Sequence, residues 1–572
     1  MMKYITHIVG FIAILMVSFT GFAQNDTIIE VDAYGKGERK IKPTPKATLI
    51  PSLIEDTTKT QIKSEFVFFE YTAGSEMQLQ PIKPAKLKII DGLDKLKRGY
   101  IKGGIGMYTT PLAEIYYNSL RSKNSNWGIH ARHISSNSSI KNTGFSGLSE
   151  NKASAFYQHY NRRNYWRGEL NYKRDANHFY GFNRDEIDSA DDRKAIHQAF
   201  NNIGARISTS SFDTDTGDLN YEGSLAYYNY SDKYAAMENN VVLNTRFKKL
   251  IPAGLLALNF DVDYNNYKST ESTPIISPAS FSPNQETVNN TIIRVNPSAI
   301  ASGDKWYVRA GVSVNADISD ATKFHFYPDI EAKYNFLDIF IPYIGINGGL
   351  KRNSFKSLTQ ENPFLLSQVN LDNTNTRYNV YGGIRGSITN DITFNLQVAR
   401  KSVYGNALFV NDTTYSIGNR MDVIYDSMDV TELNAQFMYD KNEKLRVYVK
   451  GKYSFFSPLY QAYVWNTPAL DITVGGIYDL ANKILVRADI YFIGEREAKI
   501  YEAIEGAELE SDNSYSISQK AFLDFNLGFE YRYNKNLSGF INFNNILNQR
   551  YLMYYQYPVQ RINIMGGATW RF

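Results

Sequence analysis

The chain has 572 residues, more than one ordinary soluble core holds, so it forms either several domains or one large closed sheet. Its 62 basic and 58 acidic residues leave a net charge of +4, which excludes the strongly basic surface of a nucleic-acid-binding protein. The absence of cysteine excludes a disulfide framework, a thiolate metal site and a lipid anchor attached to cysteine.

Residues 1–23 have the three parts of a secretory signal peptide. Lys3 supplies the positive end, 8–19 form the apolar run, and 21–23 read as a small-x-small cleavage site. The alternative is a retained membrane anchor, which needs a longer run of about 20 apolar residues. The pattern therefore predicts export, cleavage between Ala23 and Gln24, and a mature chain that begins at Gln24.

Residues 24–97 differ in composition from the rest of the chain. Prolines, which interrupt sheet ladders, recur among lysines here: Pro43, Pro45, Pro51, Pro81 and Pro84. The segment is too short and too poor in apolar periodicity for a substantial domain. Residues 65–71 are its one strand-like run. We predict a short, non-globular periplasmic arm that enters or caps the domain that follows, or docks onto a partner protein.

Residues 98–572 are a series of amphipathic runs with a period of two, the spacing that puts alternate side chains on opposite faces of a strand. In one run Val447 and Val449 alternate with Arg446 and Lys450. The runs number about 22, with a range of about 20–22, and an even number is typical of bacterial outer-membrane barrels. The 43 Tyr and 33 Phe suit the aromatic girdles of such a barrel. The fold class predicted is all-β, a transmembrane antiparallel β-barrel.

The connections between these runs alternate in length. Short, turn-like connections lie at 161–164, 250–254, 302–304, 389–391, 440–444 and 533–536. Long polar connections lie at 135–151, 176–194, 269–289, 355–374, 403–430, 495–517 and 548–560. Outer-membrane barrels have short periplasmic turns and long extracellular loops, so the alternation predicts that both ends of the barrel lie in the periplasm.

The C-terminal run, 559–572, has apolar or small residues at every second position and stops on an aromatic residue. A soluble sheet with one buried face is the alternative for this run alone. The last strand of outer-membrane barrels ends in this way, so we interpret Phe572, with Trp570, as the assembly signal. The predicted location is the outer membrane of a Gram-negative cell. The predicted partners are outer-membrane lipid and the barrel assembly machinery.

The segment before this strand resembles a known family. The sequence N-I-L-N-Q-R-Y at 545–551, followed by Tyr557, Pro558, Arg561 and Gly566, is similar to the end of the barrel domain in TonB-dependent receptors. The loop lacks the glycine that the family has before the arginine. The resemblance implies a barrel of about 22 strands and its assembly route.

Those receptors also carry a folded plug, for which 24–97 is too short. The resemblance therefore does not extend to plug residues or to energised transport. Residues 26–31 resemble the segment by which such receptors contact TonB, but an apolar patch in a tail is the favoured interpretation, and we predict no TonB contact. A lumen of this width needs filling, by inward-folded loops, by the arm or by a partner protein.

Local motifs for catalysis or metal binding are weak. His130 and His133 are three residues apart on a strand, so they point to opposite faces and cannot share a metal. The acidic run 185–192 lacks the spacing of a calcium loop, and the glycine-rich 102–106 opens no helix. No local motif marks a hydrolase triad. We predict no catalytic residue, no metal, no cofactor and no enzyme activity.

Inward-facing residues of the barrel remain as candidates, and cations predominate among them. They are Lys102, Arg446, Lys450, Lys452, Arg487, Asp489, Asp524, Glu530, Arg532 and Arg561. Such a lining favours anionic solutes, unless the charges merely solvate the lumen. The favoured function is an outer-membrane pore or transporter for an unidentified solute. The alternatives are a non-transporting structural subunit of a larger outer-membrane complex, and surface binding or adhesion through extracellular loops.

Overall fold

The computed structural model describes residues 96–120, 122–183, 193–212, 218–270, 285–319, 321–336, 339–442, 444–501, 504 and 506–572. The predicted cleavage site at Ala23 and Gln24 lies outside these residues, as does the arm apart from Leu96 and Lys97. In the part of the chain that is described, no helix has the length and hydropathy to cross a membrane.

Strands dominate the described residues. The first thirteen strands are β1 (Gly99–Gly106), β2 (Thr110–Asn118), β3 (Ser125–Ser136), β4 (Leu148–Tyr160), β5 (Asn164–His178), β6 (His197–Ser211), β7 (Leu219–Ser231), β8 (Met237–Ile251), β9 (Gly254–Thr270), β10 (Gln285–Ser302), β11 (Trp306–Ile318), β12 (Thr322–Tyr334) and β13 (Phe340–Lys351). The helix α1 (Phe355–Glu361) follows. The remaining strands are β14 (Thr374–Thr389), β15 (Ile392–Asp412), β16 (Arg420–Lys441), β17 (Leu445–Pro458), β18 (Leu470–Leu480), β19 (Ile484–Ile493), β20 (Arg496–Ile500), β21 (Glu508–Leu509), β22 (Tyr515–Gln519), β23 (Phe522–Arg532), β24 (Leu537–Asn544), β25 (Leu552–Tyr554), β26 (Tyr557–Pro558) and β27 (Asn563–Arg571).

One sheet of 22 strands forms the body of the molecule. Each of its strands pairs antiparallel with the next in the chain, β19 passes to β23 and β24 to β27, and β27 pairs with β1. The sheet therefore closes on itself. The predicted fold, a transmembrane antiparallel β-barrel with about 22 strands, is confirmed. The smaller sheets β20–β22 and β25–β26 lie in the last two long connections.

The two faces of the wall differ as the period-two pattern predicts. On β9 the outward Leu256, Leu258 and Tyr264 are exposed, whereas Asp263 and Tyr267 on the other face are buried. Apolar side chains exposed along a closed sheet need lipid rather than water around them. The wall is thus apolar outside and mixed polar and aromatic inside.

The connections fall into two groups at the two ends of the barrel. The six predicted short turns all join strand pairs at the end that holds Gly99 and Phe572, which we name the turn end. The longest connections lie at the opposite, loop end. One predicted loop, 403–430, is wrong, because β15 continues to Asp412 and β16 begins at Arg420. At the loop end β15 is buried on both faces, while β16 alternates between buried and half-buried positions, so the hairpin lacks the exposed apolar face of a lipid-facing strand.

The C-terminal residue closes the barrel. Phe572 exchanges backbone hydrogen bonds with Gly99, at 2.9 and 3.0 Å, and its ring stacks on Trp570 with 4.7 Å between centroids. A Cβ added at Gly99 would overlap the ring of Phe572. The glycine therefore gives the terminal ring its place beside the first strand.

Candidate functional site at the mouth of the barrel

The connection between β13 and β14, residues 352–373, is the most buried long loop of the described residues, and we name it the mouth loop. A capping box starts its helix, in which the Ser354 side chain accepts from the Ser357 backbone N–H and the Ser357 side chain accepts from that of Ser354. The Asn353 amide ties the base of the loop by donating to Asp372 O and Thr374 Oγ1, both at 2.9 Å. The loop is thus a folded unit with a closed base.

The apolar side chains of the mouth loop form the centre of a large core. Phe355 and Leu365 are fully buried, and the ring of Phe355 lies 5.3 Å from that of Tyr267 and 5.8 Å from that of Tyr230. The buried members are Phe179, Phe182, Ile196, Phe200, Tyr230, Ala236, Tyr267, Phe355, Leu358, Phe364, Leu365, Leu366, Val369, Phe409, Met421, Val423 and Tyr557. We name this set the mouth core. It joins the loop to strands on several sides of the barrel.

Hydrogen bonds show that the loop crosses the opening. On one side the Tyr230 hydroxyl lies 2.8 Å from Thr359 Oγ1, and the Tyr267 hydroxyl donates to Ser367 O at 2.5 Å. On the other side the loop pairs with β16, since Leu366 N donates to Met421 O at 2.8 Å. β7, which holds Tyr230, and β16 are nine strands apart in the 22-stranded ring. A loop bound to both must span the mouth.

A second long connection, 545–562, supports the mouth loop from a third side. The ring of Tyr557 is fully buried and stacks on Phe364 with 3.6 Å between centroids, and its hydroxyl donates to Asn419 O. The Tyr554 hydroxyl donates to Glu361 O at 2.9 Å. Two loops of the chain itself therefore pack together across the mouth.

Charged groups of the mouth are also held by specific partners. Arg352, at the base of the mouth loop, forms an ion pair with Asp263 of β9. Asp232 accepts from Gln198 at 2.9 Å and from the Ser367 hydroxyl, and burial raises the pKa of its carboxyl. Lys356 lies 3.6 Å from the ring centroid of Tyr228, and burial lowers the pKa of its amine to about 8.

The predicted lumen residues on strands all lie on the face opposite the exposed apolar side chains. Lys102, for example, lies 4.3 Å from the ring centroid of the buried Phe540, while its neighbour Ile101 is exposed on the outer face. The others on this face are Arg446, Lys450, Lys452, Arg487, Asp489, Asp524, Glu530 and Arg532. Arg561 instead lies in the connection before β27 and is exposed.

Acidic partners that the sequence analysis did not single out balance several of these cations. Glu432 pairs with Lys452 at 3.3 Å and with Lys401 at 2.6 Å. Asp479 and Asp440 pair with Arg532 at 2.7 Å and with Arg446 at 2.6 Å, respectively. Several predicted acids accept from hydroxyls instead, as Asp489 does from Tyr448 and Asp524 from Tyr551. The lining is thus a set of paired charges, which weakens the basis for an anion preference.

Histidines and acids form no metal-holding group of three or more within the described ranges. His130 lies 3.0 Å from Glu114, and His133 lies 2.7 Å from Asn151. Glu114 is buried inside the wall, whereas His133 shares the face of the exposed Ile129. The two histidines point to opposite faces, as their spacing predicts.

Comparison with known proteins gives a match of fold. No protein-family model matches the sequence, and no curated protein matches it. Three similar solved structures are the FrpB iron transporter from Neisseria meningitidis, the pyoverdine outer-membrane receptor FpvA from Pseudomonas aeruginosa and the siderophore receptor PirA from Acinetobacter baumannii. Their TM-scores are 0.64, 0.62 and 0.62, at 9%, 11% and 8% identity. They cover 84%, 83% and 83% of this chain, and 82%, 78% and 80% of their own.

The chain has the barrel fold of TonB-dependent receptors. The segment that resembles this family is a structured turn in the loop that supports the mouth. The Asn545 side chain donates to Gln549 O at 2.7 Å and to Gln560 O at 3.1 Å, and its Oδ1 accepts from Gln549 N at 3.0 Å. Asn545 itself has a positive φ of 49°, which asparagine tolerates better than most residues. In this receptor-like barrel the motif thus anchors the loop that carries Tyr557.

Proposed function

We propose that the protein is an outer-membrane transport barrel whose lumen opens to the cell exterior only when the mouth loop moves. The observation that carries this proposal is the mouth loop itself, which is bound to β7, β9 and β16 across the opening. The polar inner wall supports it, because a water-filled path needs such a lining. The similar structures supply a first class of solute to test, since they are an iron transporter, a pyoverdine receptor and a siderophore receptor.

The placement of the molecule follows from the same proposal. The turn end faces the periplasm, together with the arm 24–97, and the mature chain begins at Gln24. The loop end faces the medium, outer-membrane lipid surrounds the wall, and the barrel assembly machinery reads Phe572. The protein has no enzyme activity and makes no contact with TonB.

A second candidate function is a structural subunit of a larger outer-membrane complex that transports nothing. The packing of the mouth favours it, because Phe355, Leu365 and Tyr557 are fully buried and a core of this kind opens at a high cost. The two functions differ in one respect that can be measured. A transport barrel must move its mouth loop, whereas a structural barrel need not.

A reversible cross-link tests whether this movement is required. Leu365 and Met421 are bridge partners between the mouth loop and β16, so their Cα atoms lie within the separation that a disulfide spans. The chain has no cysteine of its own, so Leu365→Cys with Met421→Cys creates the one available pair. Cells that carry the oxidised variant should lose uptake of ferric siderophores through this barrel, and a reductant should restore it.

The single variants Leu365→Cys and Met421→Cys are the matched controls, and neither should respond to the reductant. Uptake that is equal in the oxidised and reduced double variant would contradict a moving mouth loop. Absence of any flux through the wild-type barrel, for siderophores and for small ions alike, would favour the structural subunit.

A further inference from the structure

Four asparagines stand side by side on the outer face of the barrel near its loop end. They are Asn229 of β7, Asn239 of β8, Asn266 of β9 and Asn289 of β10, and each is the register partner of the next. We name them the amide ladder. They face outward, because Tyr227 and Tyr264, two residues away on β7 and β9, are 45% and 41% exposed.

Hydrogen bonds fix the orientation of these amides in two pairs. Asn229 Nδ2 donates to Asn239 Oδ1 at 2.9 Å, and Asn266 Nδ2 donates to Asn289 Oδ1 at 2.8 Å. The hydroxyls of Tyr227 and Tyr264 donate to the same two acceptors, at 2.9 and 3.2 Å. In each pair, one amide oxygen and one amide nitrogen therefore have no hydrogen-bond partner among the described residues. These atoms are Oδ1 of Asn229 and Asn266 and Nδ2 of Asn239 and Asn289. Donors and acceptors held in a row suit the hydroxyl groups of a sugar.

Strand formation does not explain the ladder. Asparagine is disfavoured in strands, and an amide that faces hydrocarbon loses hydrogen bonds to water. Of the four outward positions on the membrane side of the ladder, Tyr227, Val241 and Tyr264 are exposed and apolar or aromatic. The fourth, Thr291 of β10, is half-buried. The outward position on the loop side of Asn266 is Lys268, which is exposed. The wall thus passes from an apolar band to amides to a cation.

A related arrangement occurs on the neighbouring strands β5 and β6, where the amide and the cation share one row. Tyr172 and Ile203 are exposed register partners in the apolar band. The next outward pair toward the loop end is Arg174 and Asn201, again a cation and an amide. This repeat makes the arrangement a feature of one side of the barrel, β5 to β10, rather than of one strand.

We infer that the amide ladder, with Lys268, binds the headgroup of a phosphorylated glycolipid in the outer leaflet of the membrane. Acyl chains would lie against Tyr227, Val241 and Tyr264, sugar hydroxyls would bond to the open amide groups, and a phosphate would meet the Lys268 ammonium. This inference rests on the outer-membrane location proposed above. It does not depend on transport, so a barrel that conducts nothing can still carry this site.

The test uses the full-length protein in detergent micelles and native mass spectrometry, with lipid A as the probe and phosphatidylethanolamine as the comparison lipid. The double variant Asn239→Ala with Asn266→Ala removes one amide from each pair. The loss of two or more hydrogen bonds should weaken lipid A binding by on the order of tenfold or more. Asn434→Ala, at an inward position of β16, should leave it unchanged.

Lys268→Ala gives a second variant on an exposed side chain, which leaves the strand ladder intact. It should weaken binding of lipid A more than binding of the same lipid without phosphate. Equal binding of lipid A by wild type, the amide variant and Lys268→Ala would overturn the inference. Binding of a free glucosamine disaccharide as tight as that of lipid A would also overturn it, as would a ladder-dependent dimer that excludes the lipid.

Discussion

Tyr557 shows how much of the mouth depends on single side chains. Its ring stacks on Phe364 of the mouth loop, its edge meets Tyr180 at 5.0 Å between centroids, and its hydroxyl donates to Asn419 O. It therefore links three long connections at one point. The sequence marks Tyr557 only as part of a receptor-like motif, and its burial follows from packing between distant segments.

Replacing Tyr557 by alanine should destabilise the packing of the mouth core. Removal of a buried aromatic side chain costs about 3–5 kcal/mol, whereas Tyr557→Phe should cost about 1 kcal/mol, since it loses only one hydrogen bond. Limited proteolysis of whole cells should then cut 352–373 rapidly in the alanine variant and slowly in the phenylalanine variant. Equal cleavage in the two variants would contradict the role assigned to the ring.

Asp422 should make the β15–β16 hairpin sensitive to pH. It lies on the face of β16 opposite Met421 and Val423, with Val410 as its register partner. Burial, opposed by a bond from Val423 N and reinforced by Asp412, raises the pKa of its carboxyl from 3.8 to about 6. The folded hairpin therefore prefers the protonated acid, and this contribution to stability is fully present below pH 3.8 and is lost as the pH rises through about 6. Proteolysis of the hairpin should be slower at about pH 5 than at about pH 7.5, and Asp422→Asn should remove most of that difference.

At the scale of the strand, the sequence carries most of the information. Leu396 and Val398 of β15 face the lipid outside the barrel, whereas Gln397 between them faces the lumen. Because the two environments select different side chains, the period of two can be recognised from the sequence. The same rule fails beyond Val403, where the β15–β16 hairpin packs against other loops and has no exposed apolar face. The mouth core could not be predicted for the same reason, because its contacts join segments that are far apart in the chain.

The faces of the wall predict unequal responses to the same substitution. Val449 is exposed on the outer face near the middle of β17, so Val449→Arg should cost about 2–4 kcal/mol in the membrane. Gln397→Arg, on the inner face of β15, should cost much less because water and acids are available there. Urea titration of the folded barrel in lipid vesicles measures both, and equal losses would mean that the face assignment is wrong.

At the scale of the whole molecule, closure of the ring depends on the meeting of β1 and β27. Phe572→Ser should reduce the yield of folded, heat-modifiable barrel, because the ring that packs over Gly99 is lost and because, in the function proposed above, the assembly machinery reads this residue. Asn563→Ser, at the other end of β27, should reduce it less. Equal yields of folded barrel from the two variants would contradict the role assigned to Phe572.

The sequence predicted that something must fill a barrel of this width, but left the loops, the arm and a partner as alternatives. The structure shows the mouth loop across the opening, anchored through Thr359, Ser367 and Leu366. Nothing in the sequence of 352–373 marks it as inward-folded, because its apolar residues lack the period of a strand. Its burial depends on aromatic side chains such as Tyr230 and Tyr267 that project from the wall.

The most direct test of the account is the conductance of single barrels in planar bilayers, with and without the mouth loop. The variant replaces 354–372 by a short glycine-serine linker, and the control places the same linker at 506–513, which does not enter the mouth core. Wild type and control should remain closed, while the variant should pass a steady ionic current. A variant that remains as closed as wild type would contradict the claim that the mouth loop closes this barrel.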